Sequence, residues 1–73
     1  MSRMKRLTLT HNEETHLWDL KDERSRRLIK AFRSKTEATS RGVLEKALGT
    51  EGGSVTIRKK GGVFEEERRF GGS

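Results

Sequence analysis

The chain has 73 residues, 29% of them apolar and 38% charged, with a formal net charge of +6 and no cysteine. One domain at most fits this length, and its core must be thin, since a domain near this size buries only about 60% of its unfolded surface. The missing cysteines exclude a disulfide framework, a thiolate metal site and a thiol nucleophile, and no apolar run nears the roughly 20 residues of a membrane span or forms a signal-peptide core, so a cytoplasmic protein is expected.

In chain order, residues 1–5 read as a flexible N-terminus, 6–70 as a single α+β domain and 71–73 as a disordered tail. Residues 6–10 alternate Leu7 and Leu9 with Thr8 and Thr10, the period of a strand. A polar turn follows over 11–15, with Asn12 suited to a turn position. Residues 16–21 read as a second strand with Trp18 and Leu20 on one face. Residues 26–32 are compatible with strand or helix. Leu28, Lys30 and Phe32 alternate as in a strand, and the fresh helix signal just beyond favours a short third strand.

That signal is Ser34-Lys35-Thr36-Glu37, at capping-box spacing. Ala38, Leu44, Ala47 and Leu48 then recur at helical spacing, and Gly49 suits the residue that ends a helix. Gly42, Thr39 and Ser40 are weak helix formers, so this helix has to depend on packing against a sheet.

Residues 54–70 read as a hairpin around Gly61-Gly62. With a two-residue loop, Lys59 faces Phe64 and Ile57 faces Glu66; with a loop over 59–62, Ile57 faces Phe64. Either register puts Val55, Ile57 and Phe64 on the buried face and Arg58, Lys60, Glu65, Glu67 and Arg69 on the other, with opposite charges paired across the strands. The expected order is β-β-(β)-α-β-β: an α+β fold in which one helix packs on one face of a small antiparallel sheet.

Several of these segments occur together in a known grouping. Trp18, Phe32, the helix start at Ser34-Lys35-Thr36-Glu37-Ala38, the run from Val55 to Val63 and the Glu65-Glu66-Glu67-Arg68 that follows resemble a small uncharacterised bacterial domain-of-unknown-function family, number twenty-one eighty-eight. The likeness spans most of residues 17–70. Thr39, Ser40 and Gly42 depart from the alanine-rich helix usual in that family, and Gly61 stands where an acidic residue is common. The resemblance implies the fold and a bacterial or phage origin; it implies no activity, cofactor or site residue.

Charge is segregated along the chain. Glu13, Glu14, Asp19, Asp22 and Glu23 oppose only Lys21 in residues 11–23, whereas Arg24, Arg26, Arg27, Lys30, Arg33 and Lys35 meet no acid in residues 24–35. Those six cations are the candidate nucleic-acid contacts, with Lys5, Arg6 and Arg41 as possible additions, and they would act by neutralising phosphates. Trp18 is read as a core anchor or, functionally, as a base-stacking platform or protein hot spot.

The rival expectation is a protein-interaction module or homodimer, whose unpaired strand edges would meet another chain. An enzyme is not expected. His11 and His16 match no established metal spacing and read as surface residues. Glu65, Glu66 and Glu67, as neighbours on a strand, should alternate between faces rather than pair as acid and base. No cofactor is expected.

Overall fold

The computed structural model describes residues 4–71. Five strands, β1 (Lys5–Asn12), β2 (Leu17–Asp22), β3 (Leu28–Phe32), β4 (Gly52–Arg58) and β5 (Phe64–Gly71), form one sheet in the order β3-β2-β1-β4-β5. Two helical pieces, α1 (Lys35–Ala38) and α2 (Val43–Leu48), lie between β3 and β4. The strand signals in 6–10, 16–21 and 26–32 thus resolve into a three-stranded meander, and the strand reading of 26–32 holds over Leu28–Phe32. Of the expected flexible start over 1–5 and disordered tail over 71–73, residues 1–3 and 72–73 lie outside the described residues; Lys5 instead begins β1 and Gly71 ends β5.

The expected small antiparallel sheet carrying a single helix is corrected in two respects. The sheet is mixed, because β1 and β4 are parallel while the other three pairings are antiparallel. The reason is topological: β3 ends pointing the same way as β1, the helical segment carries the chain back, and β4 therefore starts from the same end as β1. The helix is also broken in two. Ser34 caps α1 as expected, its Oγ accepting from the Glu37 N–H at 3.0 Å. Thr39 and Ser40 then donate their hydroxyls to the carbonyls of Lys35 and Thr36 at 2.9 and 2.8 Å, and Gly42 takes φ 83, so one turn ends and a second begins.

The core lies between these helical turns and one sheet face. Leu7, Leu9, Trp18, Leu20, Phe32, Val55 and Ile57 from the strands meet Ala38, Leu44 and Leu48. Complete burial of a leucine or isoleucine contributes about 1.5–3 kcal/mol, so this small set carries most of the stability. Gly53 permits the parallel pairing: it has φ 150, and a Cβ there would run into the Lys5 carbonyl. The opposite sheet face carries no covering layer among the described residues.

The final hairpin takes neither anticipated register throughout. Ile57 faces Glu66, as the two-residue loop would require, but a register shift follows and Arg58 faces Phe64. The extra residue is absorbed by a bulge, and Lys59 N–H donates to the Val63 carbonyl at 2.8 Å across a loop whose Gly61 and Gly62 have φ 92 and 87. Val55 and Ile57 are buried as expected, whereas Phe64 shares the uncovered face with Arg58 and is 55% exposed. The bulge also turns Glu65 to the helix side, where it pairs with Lys35 of α1. The remaining charges pair along β5 rather than across the hairpin: Arg68 Nε to Glu66 Oε1 at 3.0 Å and Arg69 Nε to Glu67 Oε1 at 3.3 Å.

Candidate nucleic-acid interface

Two hairpin turns at opposite ends of the sheet are built on one plan. In the β1–β2 turn, Asn12 Oδ1 accepts from the N–H groups of Glu14 and Thr15 at 2.9 and 3.2 Å, and Thr15 Oγ1 accepts from Leu17 N–H at 3.3 Å. In the β2–β3 turn, Asp22 Oδ1 accepts from Arg24 and Ser25 N–H at 2.8 and 3.0 Å, and Ser25 Oγ accepts from Arg27 N–H at 3.2 Å. His16 and Arg26 occupy equivalent positions with φ 62 and 63, the left-handed region. The turn chemistry is therefore an Asx residue, a hydroxyl three positions on, and a left-handed residue next. Asn12-Glu13-Glu14-Thr15-His16 and Asp22-Glu23-Arg24-Ser25-Arg26 carry this short repeat in the sequence, and it was the signal available there for locating both turns.

The shared scaffold displays opposite charges. The first turn presents Glu13 and Glu14, the second Arg24, Arg26 and Arg27, all exposed. Glu23 N–H donates to the Arg6 carbonyl at 2.9 Å, which ties the start of β1 to the basic turn. Lys5 and Arg27 line one shallow depression there with Asp22 and Ser25. The Ser25 and Arg24 backbone N–H groups, with the nearby Arg24 charge, hold the Asp22 carboxyl below its ordinary value of 3.8.

The six candidate cations are not brought onto one face. Arg24, Arg26 and Arg27 crowd the β2–β3 turn, while Arg33 follows the far end of β3. Lys30 lies opposite Leu20 on the helix side, with Nζ 5.3 Å from the centroid of the Phe32 ring. Lys35 is paired with Glu65. Glu13, Glu14, Asp19, Asp22 and Glu23 make no side-chain ion pair with the six cations among the described residues. Asp19 instead is buried and accepts from Asn12 Nδ2 at 3.0 Å. Arg41 lies far along the chain in the α1–α2 connection, beside Gly42 and Arg68.

Trp18 is only 8% exposed and lies in the core, with His11 edge-on to its ring at 5.1 Å. That placement presents no stacking surface to solvent. It also corrects the expectation for His11, whose side chain is 6% exposed; its Nδ1 stands 3.7 Å from Glu13 Oε1 and has no hydrogen-bond partner. The expected strand stopped at Thr10 with His11 in a turn, whereas β1 runs on to Asn12 and carries His11 on the same side as Leu7 and Leu9, the buried one. Among the described residues no three His, Cys, Asp or Glu side chains are grouped so as to hold a metal. The β5 bulge likewise sets Glu65 and Glu66 on the same side, contrary to simple alternation, but each is held by its own cation. No helix among the described residues is long and apolar enough to cross a membrane.

No protein-family model, curated protein or solved structure matches the chain. The resemblance noted for Trp18, Phe32, the helix start and the final hairpin accordingly rests on those residues alone.

Proposed function

We propose that this protein is a non-enzymatic binding module that contacts nucleic-acid phosphates, in a cytoplasmic setting, through the end of the sheet formed by Arg24, Arg26 and Arg27 with Lys5 and Arg6. The observation that supports this reading is the exposed arginine turn tied to the basic start of β1 by the Glu23–Arg6 backbone bond at 2.9 Å. Arginine and lysine side chains there would displace counterions from a polyanion, giving affinity without sequence readout and a steep loss with salt. Compared with the run of six cations in the sequence, the proposed contact is narrower: Lys30 and Lys35 are engaged elsewhere, and Arg33 lies beyond the other end of β3.

The test is a fluorescence-anisotropy titration of a labelled oligonucleotide at about 50 and 200 mM salt, with the salt contrast set by counterion release. The reading requires binding that weakens steeply over that interval and falls on replacing Arg24, Arg26 and Arg27 together by alanine. No binding at the lower salt removes it.

A second reading is self-association or protein binding through β3. It is favoured by Leu28 and Ile29, 56% and 43% exposed on a strand at the edge of the sheet. Sedimentation velocity across a concentration series tests the homodimer: a monomer at all concentrations, unchanged by Ile29→Lys, counts against it.

A further inference from the structure

The uncovered face of the sheet has a layout of its own. The register sets Arg6, Ser54 and Arg69 side by side on β1, β4 and β5, with Thr8 and Thr56 adjacent in the next row. Lys21 flanks Thr8 from β2. Arg58 lies four residues beyond Ser54 on β4, about 13 Å away at the usual strand rise. The face therefore has Arg6 and Arg69 at one end, Arg58 toward the other, and the Thr8 and Thr56 hydroxyls with Lys21 in the row between them. Its two carboxylates are already engaged: Glu67 Oε1 meets Arg69 Nε at 3.3 Å, and Asp19, 6% exposed, accepts from Asn12 at 3.0 Å.

The aromatic side chains of the protein are one tryptophan and three phenylalanines, and they lie almost entirely elsewhere. Trp18 and Phe32 are 8% and 3% exposed, and Phe70 packs against the core. Phe64 alone is exposed, at the outer edge beside Arg58. Proteins that hold single strands rely on aromatic platforms for unstacked bases, and this face lacks such a row. Hydroxyls and cations instead suit phosphate oxygens. The separation of the two cationic ends also approaches the width of a B-form major groove, about 12 Å.

We propose that this face binds the backbones of a nucleic-acid duplex across a groove, in preference to a single strand; the inference rests on the phosphate-binding reading above. Arg6, continuous with the arginine turn, meets one backbone, and Arg58, whose Nη1 also donates to the Gly62 carbonyl at 3.0 Å, meets the other. The hydroxyl floor accepts the groove between them without selecting a sequence.

The experiment compares a labelled 20-base-pair DNA duplex, of about two helical turns, with one of its unstructured single strands at about 50 mM salt. Tighter duplex binding by about tenfold or more is expected from its higher charge density. Arg58→Glu should weaken the duplex by about tenfold, with little change in single-strand binding, whereas Arg6→Glu, which removes part of the phosphate contact itself, should weaken both forms. Thr8→Glu, which puts a carboxylate on the floor and leaves every cation in place, should weaken the duplex alone. Circular dichroism identifies any variant that fails to fold, and Thr8→Gln then replaces Thr8→Glu as the milder change. Equal or tighter single-strand binding, or an Arg58→Glu variant that binds duplex like the parent, overturns the duplex inference and leaves the phosphate reading standing. Absence of binding to either form removes both.

Discussion

Arg26 occupies φ 63 in the arginine turn, a conformation that costs a non-glycine residue about 1–2 kcal/mol. Part of that cost returns through the greater unfolded-state entropy of glycine, so Arg26→Gly should raise stability by about 0.5–1 kcal/mol in urea denaturation. The same change should weaken phosphate binding, because the side chain is lost while the turn is favoured. Gly53 presents the opposite case. Its φ of 150 and the proximity of the Lys5 carbonyl leave no room for a Cβ, so Gly53→Ala should cost about 2–4 kcal/mol and loosen the β1–β4 pairing. Asp22 adds a pH dependence. Its folded-state carboxyl titrates below 3.8, so its contribution is present above that pH and is lost as the pH falls through the lower folded value. The protection of the Arg24 and Ser25 amides, which donate to that carboxylate, taken as exchange relative to an unstructured chain at the same pH, should fall in this acid window and stay level between about pH 5 and 8; protection already lost above pH 5 would contradict the assignment.

The elements follow local chemistry to different extents. Ser34 is a side-chain cap whose Oγ accepts from the Glu37 N–H, and Ser34→Ala should cost about 1 kcal/mol, read as a lowered urea midpoint with an unchanged slope. The cap at Ser34, the apolar positions Ala38, Leu44 and Leu48 and the terminating Gly49 were all legible in the sequence. The break between α1 and α2 was foreshadowed by Thr39, Ser40 and Gly42, weak helix formers that turn out to end one piece and start another. The Asx-hydroxyl repeat of the two turns was equally open to reading, since it depends on residues no more than five apart. The bulge in β5 was not. A one-residue shift reverses which face a side chain joins, and only pairing with β4 and the Lys35–Glu65 contact decides where Phe64 and Glu65 go.

At the level of the assembled domain, the charge separation noted along the chain becomes a spatial one. The acidic Glu13–Glu14 turn and the basic Arg24–Arg27 turn sit at opposite ends of β2, so the field of the domain is directional rather than a uniform positive halo. Phosphate binding should accordingly show a salt slope set by the few cations at the basic end; reversing Glu13 and Glu14 to lysine should change duplex affinity less than removing Arg24, Arg26 and Arg27, as measured by anisotropy. The core that holds this arrangement is small, and Leu48→Ala should cost about 2–5 kcal/mol, enough to bring a marginal domain close to unfolding.

The sequence by itself determined the strand segments, the cap at Ser34 and the buried Leu7, Leu9, Val55 and Ile57, because each depends on periodicity or on contacts a few residues long. Tertiary structure alone decided that β4 joins β1 in parallel, that Phe64 faces outward, that His11 is enclosed beside Trp18, and that the six cations of residues 24–35 disperse. Those outcomes depend on which strands become neighbours and on where the chain turns back after α2, and pairings between distant segments leave no periodic trace in either segment alone.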